Sequence, residues 1–352
     1  MGKEESCSVG NIVRQARVMR IVYFGTPAFA VPTLNALIGD PRFEVVLVVT
    51  PPDGEVGRGR RTASSPVKVA ALQRGLSLFQ PSRLGQSETR EVLGTAAADL
   101  FVVAAYGVIF GPKSLALPKI ASVNLHASLL PKFRGASPIS AALLSGAERT
   151  GISLMIMDTG LDTGPILATR AVAIATEDTT ATLTNKLATV CAEFVPDALS
   201  CFVVGELVSR PQRGEGSITR TLTKFDGWIN WYQPAWTLAL LVRAMWSWPR
   251  AWTTTDKGVH SSYLQIHSAS VHPISGETGS ASVPSTVLVE DDRLLIRCED
   301  GLLEIETGQV AGGRPVSGAE LIRGRHLSAG QQLGRTGAPP PQPPLWLSVA
   351  DQ

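Results

Sequence analysis

Short apolar runs and stretches of helical spacing alternate along the first part of the chain. Residues 20–24 hold Ile21, Val22, Tyr23 and Phe24 in succession, which predicts a strand buried on both faces. Gly25, Thr26 and Pro27 mark a turn, and apolar spacing over residues 29–38 predicts a helix. Strands are predicted again at 43–50, 99–105, 121–126 and 152–157. Helices are predicted at 67–74, 137–144 and through 180–207. This alternation predicts an α/β domain with a mainly parallel sheet covered on both faces. Ligands of such sheets sit beyond the carboxyl ends of the strands.

The pattern changes near residue 208. Residues 209–216 are rich in Arg, Gly and Pro and read as a linker. A helix at 236–246 is followed by short strand signals at 251–255, 263–267, 286–290, 293–298 and 302–307. These predict a small all-β module, a five-stranded barrel of the OB type. The stretch 337–344 is dominated by Pro and predicts a disordered tail. The expected divisions are a leader at 1–18, a catalytic domain at 19–207, a basic linker at 208–222, a barrel at 223–335 and a tail at 336–352.

Composition narrows this picture. The 352 residues carry a formal net charge of +2, so any nucleic-acid face must be local rather than general. The cysteines Cys7, Cys191, Cys201 and Cys298 show no C-x-x-C or zinc spacing, so reduced thiols and no metal are expected. No apolar run is long enough to span a membrane. Residues 1–18 contain Glu4, Glu5, Arg14 and Arg17 and lack the apolar core of a secretory signal. A cytoplasmic monomer is expected.

The candidate chemistry lies in residues 122–131, Ser-Val-Asn-Leu-His-Ala-Ser-Leu-Leu-Pro. Residues two apart on a strand share a face, so Asn124 and His126 point one way and Leu125 the other. His126 is the only histidine before His260, and it is the one side chain of this domain whose ordinary pKa lies near neutrality. A satisfied core histidine is the competing reading. Asp158 and Asp162 fall in a Gly- and Pro-rich loop after a predicted strand, where turn chemistry competes with catalysis. The first turn lacks G-x-G-x-x-G, and Pro27 and Phe29 obstruct a dinucleotide. No Walker loop, H-E-x-x-H or G-x-S-x-G element is present.

Taken in order, Asn124-Leu125-His126-Ala127-Ser128-Leu129-Leu130-Pro131, then residues 133–139 (Phe-Arg-Gly-Ala-Ser-Pro-Ile), then 158–164 (Asp-Thr-Gly-Leu-Asp-Thr-Gly) resemble the 10-formyltetrahydrofolate-dependent formyltransferases. Phe24-Gly25-Thr26-Pro27, Thr50-Pro51-Pro52-Asp53 and the segment from Gly57 to Lys68 are similar to the branch acting on initiator methionyl-tRNA. The resemblance spans roughly residues 19–335. It implies a Rossmann-like catalytic domain joined to a barrel-like carboxyl domain, in a cytoplasmic enzyme of bacterial type. It also implies catalysis by Asn124, His126 and Asp162, and a folate co-substrate near Ser128, Leu129, Leu130 and Pro131.

The acceptor is read from charge. Residues 54–68 hold Arg58, Arg60, Arg61 and Lys68 against Glu55, a net of +3 in a Gly-bearing loop. With the resemblance, Arg58, Arg60 and Arg61 are expected to grip tRNA phosphates. Arg210, Arg213 and Arg220 add to this from the linker. Residues 223–330 carry nine Lys or Arg against eleven Asp or Glu, so an RNA face there must be confined, around Arg243 and Arg250. The stretch 218–231 departs from the branch's usual pattern, and so does Pro51. The tryptophans from Trp228 to Trp252 are expected to pack rather than to stack on bases. The competing functions are formylation of a small amine such as an amino sugar nucleotide, hydrolysis of the formyl donor, and non-enzymatic RNA binding.

Overall fold

The computed structural model describes residues 17–56, 61–257, 260–274, 282–334, 338–339 and 342–348. In the amino-terminal part the strands are β1 (Met19–Gly25), β2 (Phe43–Val49), β3 (Gly54–Val56), β4 (Arg61–Ala63), β5 (Leu78–Phe79), β6 (Leu100–Ala104), β7 (Ala121–His126), β8 (Arg134–Gly135), β9 (Arg149–Ile156) and β10 (Ile166–Ala173). The helices are α1 (Val31–Gly39), α2 (Pro66–Gln73), α3 (Ser87–Thr95), α4 (Pro112–Leu115), α5 (Pro138–Leu144) and α6 (Thr180–Val203). Seven strands form one sheet in the order β10-β9-β7-β6-β1-β2-β5. It is parallel from β7 to β5, and antiparallel at β7–β9 and β9–β10.

The alternation of side chains decides the layers. Ile21, Tyr23, Leu100, Val102, Val123 and Leu125 face a core shared with α1 and α6. Val22, Phe24, Phe101 and Val103 face a second core with Tyr106 and Phe110. A strand buried on both faces must be apolar throughout, which is why β1 and β6 read as unbroken apolar runs. At β7 the same alternation turns Asn124 and His126 away from the α1–α6 core. The long helix α6 opens on a capping box in which the Thr179 and Thr182 side chains bond each other's backbone N–H. Among the described residues no helix is long and apolar enough to cross a membrane.

The carboxyl-terminal module begins with α7 (Ala235–Ala244) and continues as an antiparallel sheet. Its strands are β12 (Ala251–Lys257), β13 (His260–His272), β14 (Val287–Glu290), β15 (Arg293–Arg297), β16 (Leu302–Val310) and β17 (Val316–Ser317). Their order is β12-β13-β16-β15-β14, with β17 on β16. Isolated bridges from Gln332 to Thr286 and from Leu333 to Thr255 join the two edges of this sheet around a core that includes Leu264, Ile266, Ile296 and Ile305.

Residues 208–222 do more than connect the domains. Arg210 exchanges both backbone hydrogen bonds with Ile166 at the head of β10. A strand at Ser217–Thr219, here β11, pairs in parallel with β8. The expected disordered tail also contains structure. Trp346–Ser348, here β18, pairs antiparallel with β11, so β18-β11-β8 make a three-stranded sheet. The approach of β11 to β8 is close. Gly135 has φ +90, and a Cβ there would lie 2.3 Å from the Thr219 carbonyl oxygen. An L side chain would meet both a strained backbone and a clash.

Candidate active site

Asn124 and His126 sit in the last turn of the extended chain of β7, on one face as their spacing predicts. Asp162 reaches that face from the loop after β9 and adopts a left-handed backbone, φ +52. Asp and Asn tolerate this region better than most residues. The two elements meet in one cluster. Asn124 Nδ2 donates to Asp162 Oδ1 at 3.1 Å, and the Gly135 N–H donates to Asp162 Oδ2 at 2.8 Å. His126 Nδ1 lies 3.4 Å from Asp162 Oδ2. His126 Nε2 is 2.8 Å from the Phe133 carbonyl, which can only accept, so that nitrogen carries a hydrogen. The imidazole is 6% exposed and the Asp162 carboxylate 14%, so the charge interacts in a site largely closed to water.

The residues 128–131 form the adjoining loop. Ser128 is fully buried and its hydroxyl donates to the Lys132 carbonyl at 2.5 Å. The Ser153 hydroxyl accepts from the Leu130 N–H and donates to the Ser128 carbonyl. The loop is therefore clamped on β9. It presents backbone and the half-buried Leu129 rather than a free hydroxyl. Beside it, the chain leaving β6 exposes Val108 and Ile109, and burial pushes the Tyr106 phenol up to about 12. Tyr106 thus stays neutral and is unsuited to proton transfer near neutrality.

Gln212 was not legible as part of the site. Its Oε1 accepts from Arg134 Nε and Nη2 at 3.0 and 2.7 Å. Its Nε2 donates to the carbonyls of Asp162 and Gly164, both at 2.8 Å. One amide thus ties the Asp162 loop to the segment that carries Gly135. Its only signal in the sequence is a polar residue among Arg, Gly and Pro.

The expected RNA groups divide. Arg58 and Arg60 lie outside the described residues. Arg61 opens β4, which pairs with β3, and its side chain also lies outside the described part. At the root of this hairpin Lys68 Nζ pairs with Asp53 at 2.6 Å and with Gln80 at 2.8 Å. The Lys68 and Gln80 bonds hold the Asp53 carboxyl below its usual range. Three other arginines are engaged internally. Arg220 pairs with Asp226 at 2.5 Å and donates to the Pro343 carbonyl. Arg243 donates to the Asp178 carbonyl at 3.0 Å, across the boundary between the domains. Arg250 lies over the Trp246 ring, 4.5 Å from its centroid. Burial lowers the pKa of both Arg243 and Arg250. The two arginines around which an RNA face was expected, Arg243 and Arg250, are thus half-buried and in contact with their own chain.

The tryptophans are mixed. Trp252 and Trp231 are buried, and each donates its indole N–H to a neighbour. Trp236 and Trp248 are exposed. Cavities of about 510 and 540 Å³ are lined by residues of the carboxyl-terminal module, among them Lys224 and Tyr263 in one and Trp228 and Tyr232 in the other, and neither includes Asn124, His126 or Asp162.

Comparison with known proteins agrees with this geometry. Residues 19–199 match the formyl transferase family, and residues 221–326 match the formyl transferase carboxyl-terminal domain. The chain is 42% identical over 318 residues to a methionyl-tRNA formyltransferase of Thiobacillus denitrificans, covering 90% of this chain and 100% of that one. It is 39% identical over 317 residues to that of Roseiflexus castenholzii, covering 90% and 99%. The fold also matches a solved sugar 3N-formyl transferase, WlaRD, with a TM-score of 0.59 at 16% identity, over 85% of this chain and 100% of that one. With both domains matched and relatives covered along their full length, the chain belongs to the methionyl-tRNA formyltransferase family.

Proposed function

We propose that Asn124, His126 and Asp162 are the catalytic group with which this chain moves a formyl group from 10-formyltetrahydrofolate to the α-amine of initiator methionyl-tRNA. The observation that carries the reading is the Asp162 carboxylate, which gathers the Asn124 amide, the Gly135 N–H and the His126 ring at one point. Such convergence orients groups before substrate arrives.

The folate donor supplies a formyl carbonyl already attached to a nitrogen leaving group. Asn124 spends one amide N–H on Asp162 and keeps the other for the carbonyl oxygen on which negative charge develops. His126 has an acceptor beside each ring nitrogen, which suits it to hold a proton, and it passes that proton to the leaving nitrogen by giving up one of these two contacts to the bound donor. Asp162 orients that ring and takes the proton shed by the attacking amine, directly or through one water. The residues present suit a folate donor. The exposed Val108 and Ile109, on the chain that leaves β6 at the carboxyl end it shares with β7, offer an apolar rim for a flat ring, and Ser128, Leu129, Leu130 and Pro131 offer a rigid backbone edge.

The acceptor reading rests on the full-length relatives and on the loop bearing Arg58, Arg60 and Arg61. The clamp of Lys68, Asp53 and Gln80 fixes the base of the β3–β4 pair. The enzyme acts as a cytoplasmic monomer. The test is formyl transfer from 10-formyltetrahydrofolate to methionyl initiator tRNA beside methionyl elongator tRNA and an amino sugar nucleotide. Transfer to initiator tRNA is expected. Transfer to the amino sugar alone, or release of free formate without an acceptor, would overturn the reading.

A further inference from the structure

We propose that the carboxyl-terminal strand β18 is a strap that positions the catalytic loop 131–137, with Trp346 as its main positioning residue. The proposal rests on the catalytic reading of Asn124, His126 and Asp162 and extends it to a segment composed like a disordered tail.

The register carries the argument. Trp346 pairs with Thr219, and Thr219 pairs with Gly135, whose N–H donates to Asp162 Oδ2. A single line across three strands therefore ends on the catalytic carboxylate. A second line runs through side chains. The Trp346 ring meets the Phe133 ring edge to face, with centroids 5.9 Å apart, and the Phe133 carbonyl takes the His126 Nε2 hydrogen. Edge-to-face pairs have a preferred geometry, so this contact constrains where Phe133 lies.

The strand between strap and loop has few other supports. β11 holds the loop through Ser217 Oγ on the Phe133 N–H, Thr219 Oγ1 on the Ser137 N–H, and the Thr219 hydroxyl on the Arg134 carbonyl. All three come from a three-residue strand in a Gly- and Pro-rich stretch, and isolated two-stranded pairings are marginal in water. β18 supplies the third strand. The strap is itself tied down. The Arg220 N–H donates to the Leu345 carbonyl at 3.0 Å, Arg220 Nη2 donates to the Pro343 carbonyl at 2.7 Å, and the Leu345 side chain is buried. Asp226 fixes the same guanidinium with two bonds. The chain thus uses a basic linker residue to fasten its own tail.

A strap of this kind acts on turnover and leaves substrate affinity alone, because β11 stands between it and the Gly135 segment that bonds Asp162. The experiment compares the full-length enzyme with Trp346→Ala, Trp346→Phe and, as a reference, Asp162→Asn. Assays run well below each variant's thermal midpoint. Trp346→Ala is expected to lower kcat about tenfold with KM for donor and tRNA unchanged, since small misplacement of a catalytic group has large rate effects. Trp346→Phe, which keeps an aromatic edge, is expected to restore most of it. Faster amide exchange at Gly135 is expected in Trp346→Ala and not in Trp346→Phe, which leaves the Asp162 acceptor of that N–H in place as well. Unchanged or raised kcat in Trp346→Ala, or a change confined to KM for tRNA, would overturn the strap while leaving the site reading intact if Asp162→Asn is impaired. Near-normal turnover in Asp162→Asn would reject the site reading itself.

Discussion

The face of β7 and the entrance to the carboxyl-terminal module use similar residues to opposite ends. Both hold a partly buried aspartate that accepts several hydrogen bonds, Asp162 in one and Asp226 in the other. Asp226 receives both Arg220 nitrogens, the Thr223 N–H and the Thr223 hydroxyl, so its carboxylate is saturated by its own chain. Burial alone would push its pKa up, but the Arg220 and Thr223 bonds outweigh that and hold it below the usual range. Asp162 is bonded by an amide and a backbone N–H and faces an imidazole, with no guanidinium on it among the described residues. A carboxylate neutralised by Arg is a structural rivet. One held by neutral donors beside a histidine has no such counter-ion to hold it.

This contrast can be tested from its strongest side down. Asn124→Ala removes the donor expected to face the reacting carbonyl. It should lower kcat by about 10²–10³, read in steady-state formyl transfer, with little change in thermal midpoint. Gln212→Ala releases the Asp162 loop from Arg134 without touching substrate. About a tenfold fall in kcat is expected, together with a lower midpoint because two carbonyls and a guanidinium lose their partner. A Gln212→Ala enzyme with full kcat would show that the bridge is structural only.

Effects on the acceptor should take a different form. Replacing Arg58, Arg60 and Arg61 together with Ala should weaken tRNA binding and flatten its salt dependence, by about 2 in the slope of log K against log salt. KM for the folate donor should not move. Arg243→Ala should leave that slope unchanged, since its guanidinium serves the Asp178 carbonyl. Its expected signature is a loss of roughly 1–2 kcal/mol of stability in denaturant unfolding.

The smallest effect is on acid stability. Asp226 and Asp178 both have lowered folded pKa values; burial raises each, and hydrogen bonds, led by Arg220 and Lys186 respectively, outweigh it. A depressed carboxyl adds stability that is complete above the unfolded value, near pH 4, and disappears as pH falls through the folded one. The thermal midpoint should therefore decline below about pH 4, and Asp226→Asn should reduce that decline.

Much of the sheet could be read from the chain because its strands are buried on two faces, which leaves continuous apolar runs such as residues 21–24 and 100–104. Asn124 and His126 were legible as an amide and an imidazole two residues apart at the carboxyl end of a strand. Asp162 needed the resemblance, since an aspartate beside glycines usually serves a turn. Three features had no local signal. The partners of Gln212 lie 48 to 78 residues earlier. Strand β18 has only three residues in a Pro-rich segment, and its pairing depends on β11 already lying on β8. The arginines at 220, 243 and 250 looked like surface charge because charge says nothing of burial. Strand β10 was not among the expected strands, since its half-exposed edge pattern gives no strong periodicity.

The central claim is that Asn124 and Asp162 act as one site in formyl transfer. A double-mutant cycle of Asn124→Ala and Asp162→Asn, read in single-turnover formyl transfer to methionyl initiator tRNA, tests it most directly. Residues that act as a unit are strongly non-additive, so the double variant should be about as slow as the slower single one. Two losses that multiply in full would contradict a shared site, and a double variant of near-normal rate would contradict the chemistry altogether.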